Sequence, residues 1–272
     1  MDKRYIDAHC HLQFAPYDPD RDELIAAMEA RGVAGIVVGV DRASSEDALD
    51  LARKHEHIFA SVGLHPNNVA REWFEVEAYE ALARDPNVVA IGECGLDYFR
   101  PETLTAEVVH EQKQVLKDHF TVAARVGKPL IIHARPSQKT QDAYQELITM
   151  LAEAKREHAA LSGDIHFFVG DKTEAAELVA LGFSLSFTAV ITFARDYDET
   201  IRAVPLASIL AETDAPYVAP LSRRGQRNDS FAVEEVVAAI ARIRGEDVED
   251  VRRATVENAK RLFALARPAV PS

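Results

Sequence analysis

The chain has 272 residues, 47% hydrophobic and 28% charged, with 44 acidic against 31 basic side chains and a formal net charge of −13. Such a balance excludes a protein held on nucleic acid or an anionic membrane by its overall field, so a polyanionic substrate must be drawn in by a local cationic centre, for which bound metal is a candidate source. No run of 18 apolar residues offers a membrane span, the start Met1-Asp2-Lys3-Arg4 leads into no signal-like apolar core, and Cys10 and Cys94 make no disulfide framework, which together read as a cytoplasmic protein.

Along the chain, short β-branched runs alternate with longer stretches whose apolar residues recur every three and four positions. Strand Tyr5–Ala8 precedes helix Arg21–Ala30, strand Gly35–Val38 precedes Ser45–Lys54, and strand Ile58–Val62 precedes Trp73–Ala83. Strand Val88–Ile91 then leads to helix Ala106–Val126, and Leu130–Ile132 to Gln138–Glu157. Asp164–Phe168 leads to Thr173–Leu181, and Phe183–Phe187 to Asp196–Ala203. Strand Ser208–Ala211 comes before a helical region that runs from Phe231 to the end, broken at Gly245 and finishing in the core-facing Val256–Leu265, with a frayed tail from Arg267 to Ser272. Eight strands, each followed by a helix, pair in parallel through right-handed crossovers.

Counting does not separate a (β/α)8 barrel from an open doubly wound sheet; the polar residues do. Nearly every strand ends in a chemically active side chain: His9 and His11, Asp41, His65, Glu93 and Asp97, His133 and Arg135, His166, Glu212 and Asp214. In a parallel barrel all these ends open on one face, whereas an open sheet spreads them along a ridge. The expected fold is therefore an α/β TIM barrel. With no internal repeat, low-complexity tract or linker, residues 1–272 read as a single domain.

Side chains alternate faces along a strand, so in Asp7-Ala-His-Cys-His11 the two imidazoles point one way, where they can chelate one ion, and Cys10 points the other as a buried neutral thiol. Taken alone, two histidines at a strand edge serve packing or surface roles as often as ligation. The same spacing recurs at His133-Ala-Arg135 and Glu212-Thr-Asp214, each after an apolar strand. Glu93 stands between Gly92 and Gly95, where the backbone can bend and approach a ligand, and its two oxygens could be shared by two ions. Its competing reading is an ion pair with Arg100 or Lys128. His166, alone, would be a core histidine; the other ligand types at neighbouring strand ends make it a sixth candidate. The set His9, His11, Glu93, His133, His166 and Asp214 offers nitrogen and oxygen without thiolate, which suits Zn, Mn, Mg, Co or Fe(II). Asp214 could also take the proton from attacking water, so Asp214 and Glu93 are the expected catalytic pair.

With these motifs the sequence resembles the TatD family of metal-dependent deoxyribonucleases, within the amidohydrolase-like barrels. The likeness spans almost the whole chain, through Asp7-Ala-His-Cys-His11, Gly63-Leu-His-Pro66, Gly92-Glu-Cys-Gly-Leu-Asp-Tyr98, Ile132-His-Ala-Arg135, Ile165-His-Phe-Phe-Val-Gly170, Glu212-Thr-Asp-Ala-Pro-Tyr217 and Arg224-Gly-Gln-Arg-Asn228. The resemblance implies one divalent ion held by His9, His11, Glu93 and Asp214 and a second by Glu93, His133 and His166. It further implies roles for His65 and Glu212 near an additional metal or the substrate, and for Arg135 at a phosphate. The chain departs from the family pattern after Arg135, at Pro136-Ser137-Gln138, and after His166, at Phe167-Phe168-Val169; both departures bear on substrate preference rather than on the ligands.

The preferred function is hydrolysis of phosphodiester bonds from DNA ends, because a terminal nucleotide reaches the floor of a barrel funnel more readily than an internal segment. Arg135, Arg223, Arg224 and Arg227 would grip phosphate in bidentate fashion, the loop arginines being otherwise a solvated cluster. Tyr98, Phe99 and Tyr217 would stack on bases or else pack the loops. The alternative is an amide, lactone or ester hydrolase, for instance on aminoacyl-tRNA, using the same ions. A scaffold that has lost catalysis would be expected to lack Asp214 or Glu93, and both are present. No obligate protein partner is evident.

Overall fold

All eight strands run parallel in one sheet, in chain order, in the computed structural model, which describes residues 4–100 and 104–265. They are β1 (Tyr5–Cys10), β2 (Val33–Val38), β3 (Ile58–Val62), β4 (Val88–Asp97), β5 (Leu130–Arg135), β6 (Gly163–His166), β7 (Ser184–Phe187) and β8 (Ile209–Ala211). The helices between them are α1 (Arg21–Arg31), α2 (Arg42–Lys54), α3 (Val76–Ala83), α4 (Ala106–Val126), α5 (Asp142–Glu157), α6 (Lys172–Ala180) and α7 (Asp198–Ala203), and α8 (Val233–Arg244) and α9 (Val248–Phe263) follow β8. The sheet closes just beyond β8, where His11 N donates to Ala215 O at 2.8 Å and Asp214 N donates to His9 O at 2.9 Å. The result is the nearly closed (β/α)8 barrel expected from the alternation.

Two apolar layers hold it. The smaller is drawn almost wholly from strands, with Ile6, Ala8, Ala34, Ile36, Val38, Phe59, Ala90, Ile131 and Leu210, as the filling of a barrel must be, and Val256, Ala259 and Phe263 of α9 join it. The larger packs strands against helices, and Cys10 and Cys94 belong to it. Both thiols are buried and free, donating to Ile36 O and Ile131 O, so Cys10 does face away from its histidine neighbours. No helix among the described residues is long and apolar enough to cross a membrane.

Element boundaries differ from expectation where chemistry interrupts apolarity. β4 runs on to Asp97, fully buried throughout, although Gly-Glu-Cys-Gly-Leu-Asp does not read as an apolar strand. β1 and β5 likewise continue through His9 and His133. α3 begins at Val76 rather than Trp73, which lies in the preceding loop at 83% exposure. α5 begins at Asp142, whose side chain accepts from Ser137 N at 2.9 Å and so organises residues 137–141 as turn. Asp41 is a helix cap: its carboxylate accepts from Ser44 N at the start of α2. The expected tail from Arg267 lies outside the described residues.

Candidate metal centre

The β4–β5 register advances from Ile91 to Cys94 on β4 while β5 advances from Leu130 to Ile132, so an extra residue is accommodated around Glu93. Gly92 and Gly95 flank that bulge at φ +144° and +143°, and a Cβ at either would run into the carbonyl oxygen of Ile131 or His133. Only glycine lets β4 lie this close to β5 while turning Glu93 inward. A second register shift, between Asp7 and Cys10, falls beside His9. Asp7, buried under the site, accepts from Thr213 N at 2.9 Å and from Thr213 Oγ1 at 2.7 Å, tying β1 to the segment that carries Asp214.

These devices bring the expected residues into two donor sets that meet on one carboxylate. Glu93 Oε2 lies 3.4 Å from His9 Nε2 and 4.0 Å from His11 Nε2. Asp214 Oδ1 completes that half, 3.4 Å from His11 Nε2 and 3.9 Å from His9 Nε2. Glu93 Oε1 faces the other half, 3.0 Å from His133 Nδ1 and 3.6 Å from His166 Nε2. Donors around a tetrahedral ion with bonds of about 2.1 Å stand roughly 3.4 Å apart, so both halves have the right dimension.

The outer nitrogens explain why these rings turn their lone pairs inward. His11 Nδ1 donates to Val38 O at 2.8 Å. His133 Nε2 lies 3.1 Å from Asp97 Oδ2, and His166 Nδ1 lies 2.9 Å from Glu212 Oε1. A carbonyl or carboxylate oxygen only accepts, so each outer nitrogen carries a proton and each inner nitrogen is the one that can present a lone pair to an ion. His133 Nδ1 lies 3.0 Å from Glu93 Oε1, and the Nε2 atoms of His9 and His11 face each other at 3.1 Å. Such lone-pair atoms, buried together at these distances, are held by a proton or a cation between them. The residues present therefore fit divalent ions, with nitrogen and oxygen donors only.

The electrostatics agree. Burial opposes charge on Glu93, yet the charges of His65 and His166 and hydrogen bonds from His133 and His65 hold it well below the usual carboxylate range. Burial pushes His9 down and leaves it neutral. Burial also opposes charge on His166, but Glu212, Glu93 and Asp214 overcome it and lift its pKa to about 10. The field at this ring favours positive charge, as a proton or as an ion.

Other expected residues separate into those at the mouth and those withdrawn from it. His65 accepts from Asn67 N through Nδ1 at 3.0 Å, so its Nε2–H points at Glu93 Oε1, 3.3 Å away. Arg135 ends β5 with its guanidinium 4.4 Å above the ring of Phe99, and Phe99 and Tyr217 are 50% and 54% exposed. Arg224 stacks 4.5 Å over Phe193. Tyr98 is a correction: it is 8% exposed and packed in the core, so it offers no ring to a ligand. Glu212 is another, since its carboxylate is fully buried behind His166, accepting from Phe167 N at 2.7 Å and Ser186 Oγ at 2.8 Å, and supports that ring instead of meeting substrate. Arg227 is committed to Asp20 at 2.5 and 2.6 Å and to Pro16 O, and Arg223 to Asp229, so these two brace the loop after β8. Buried Asn228 does the same, donating to Thr213 O and Val218 O. Glu93 forms no pair with Lys128, which donates to the carbonyls of Ala83 and Asp85.

Asp97 stood among the strand-end acids without an expected role as ligand, catalyst or substrate contact. It accepts from His133, from Asn67 Nδ2 at 2.9 Å and from the backbone N–H of Phe99 and Arg100. Strand parity was the signal: Glu93, Gly95 and Asp97 share a face beyond the bulge.

A family model described as TatD related DNase matches residues 6–264. The chain belongs to the TatD family. Among curated relatives, the uncharacterized metal-dependent hydrolase YabD of Bacillus subtilis is 35% identical over 267 residues, covering 96% of this chain and 99% of that one. The 3'-5' ssDNA/RNA exonuclease TatD of Escherichia fergusonii is 30% identical over 272 residues, covering 96% and 99%. The crystal structure of YjjV, a TatD homologue from Escherichia coli K12, superposes with a TM-score of 0.86 at 28% identity, covering 97% of this chain and 99% of that one. The chain is thus a metal-dependent hydrolase of the TatD family on a TIM barrel.

Proposed function

We propose that this TatD-family hydrolase cleaves phosphodiester bonds at the 3' ends of DNA strands, with two divalent ions (Zn, Mg or Mn) as cofactors. The observation that carries the reading is the Glu93 carboxylate, with one oxygen toward His9, His11 and Asp214 and the other toward His133 and His166. Ions held there would acidify water and polarise a phosphoryl oxygen. Asp214 sits at the open end, where burial is outweighed by the hydrogen bond it accepts from His11 and by the charge of His166, which keep it ionised and able to take a proton from the attacking water. Arg135, one strand step from His133, is placed to hold an oxygen of the scissile phosphate, and His65 holds Glu93 from the far side. The exonuclease name of a relative 30% identical supports a strand end as the substrate. Residues 1–272 are read as one domain, and the two buried thiols suit a reducing cytoplasm.

The test is release of nucleotides from 3'-labelled and 5'-labelled single strands with added Mn, Mg or Zn and with chelator, beside ester, lactone and aminoacyl-ester panels. Metal-dependent shortening from the 3' end is expected. Turnover of esters or lactones without any cleavage of DNA would transfer the site to the alternative chemistry.

A further inference from the structure

Beside the Glu93 Oε1 half of the site lies a pocket of about 240 Å³ that the mechanism above does not use. His133 and His166 form its inner edge, so whatever enters it adjoins the reacting centre. Its walls are Phe167, Val169, Val190 and Tyr197, with Arg135 at the rim. In a chain with 44 acidic residues, none of the described residues lining it is acidic. The volume is below the roughly 300–1,000 Å³ of sites that enclose drug-sized ligands, so it admits one ring system rather than two.

The apolar wall is held in place. Phe167 leaves β6 at φ +47°, a conformation a bulky side chain adopts only when its surroundings impose it. Glu212 imposes it by accepting Phe167 N at 2.7 Å, Phe168 N donates to Ser186 O at 3.0 Å, and Val169 N donates to Tyr144 Oη at 2.9 Å. The segment that turns His166 toward Glu93 therefore also sets the Phe167 ring against the pocket. A small, largely apolar group bounded by a guanidinium suits this volume and lining, and a nucleobase beside its own phosphate has that character.

We propose that the pocket receives the base of the terminal nucleotide, with Phe167 as its specificity-determining wall; this rests on the nuclease reading. The base stacks on Phe167 while Arg135 spans from the pocket rim to the phosphate. The pocket thereby favours ends that carry a base over ends that have lost one.

The experiment compares single strands ending in 3'-thymidine with strands ending in a 3'-terminal tetrahydrofuran abasic residue, with manganese, for the wild type, Phe167→Ala and Val190→Glu. Wild type is expected to show kcat/KM roughly tenfold higher on the base-bearing end. Phe167→Ala should lose about that factor on the base-bearing end and almost nothing further on the abasic end. Val190→Glu, which puts a carboxylate into the same pocket from a half-buried turn, should show the same selective loss and serves where the Phe167 variant proves unstable. Equal wild-type rates on both ends, or equal losses on both ends in a folded variant, would overturn the pocket assignment while leaving the nuclease reading standing. Failure of wild type to shorten either strand would overturn both.

Discussion

Replacing Asp97 with asparagine tests how the proposed ions would be held without touching either of the two donor sets that meet on Glu93. In the wild type, Asp97 Oδ1 accepts the N–H groups of Phe99 and Arg100 at 3.0 and 2.9 Å, and Oδ2 faces His133 Nε2 at 3.1 Å. Asparagine keeps an oxygen for the two backbone donors, so the start of the loop survives. Its amide nitrogen then faces His133 and can only donate. His133 must accept at Nε2, which moves its proton to Nδ1, the atom 3.0 Å from Glu93 Oε1. The lone pair that would bind an ion is lost unless the ring is forced back, and outer partners of this kind are worth about 10–100-fold in metal affinity, or roughly 1.4–2.7 kcal/mol. Calorimetric titration of metal-free protein with zinc or manganese should show one binding step weakened by that factor in Asp97→Asn. The step served by His9, His11 and Asp214 should stay within about twofold. Two unaltered steps, or two equally weakened ones, would refute the reasoning.

Other expectations follow from the same geometry. Asp214→Asn should nearly abolish turnover while the folded protein still binds an ion, because the amide keeps the shape but cannot take a proton; near-wild-type turnover would remove Asp214 from the chemistry. Arg135→Ala should lower kcat on DNA about tenfold or more, whereas Arg227→Ala, freed from Asp20, should mainly lower the melting temperature by a few degrees; a larger kcat loss for Arg227 would reverse their assignments. His119, buried in α4, accepts from Leu64 N at 3.0 Å and donates to Val115 O at 2.7 Å, and burial drives its pKa down to about 4. The native ring thus stays neutral where the unfolded chain, near 6.5, takes a proton. Its contribution is full above pH 6.5 and is lost as pH falls toward 4, by about 3 kcal/mol at most. Urea unfolding of wild type and His119→Gln from pH 7.5 to 4.5 should show the smaller acid loss in the variant, and parallel curves would contradict the assignment.

The barrel was legible because its strands alternate with helices on a fixed period and end in residues that share one face. His9, His11, Glu93, His133, His166 and Asp214 could be placed together because strand parity and parallel direction fix where such side chains go. Parity carried less far around Glu93, since the bulge at Gly92 and the close approach of β4 to β5 are tertiary facts. Asp97 was visible as a strand-end acid, but its function depends on which ring nitrogen it meets. The arginines after β8 read as phosphate grips because charge says nothing about partners: Asp20, which captures Arg227, lies more than 200 positions earlier. Tyr98 misled for a related reason, its burial being decided by packing beneath the loop rather than by its place in a motif.

The central claim is that Glu93 is shared by two ions, and metal stoichiometry tests it most directly. Metal-free protein would be reloaded with zinc or manganese, freed of excess by gel filtration and measured by mass spectrometry of metal and protein, for wild type and Glu93→Gln. The geometry predicts about two ions per wild-type chain and no more than about one in the variant, which offers a single neutral oxygen where two charged ones stood. One ion per chain in both proteins would contradict it.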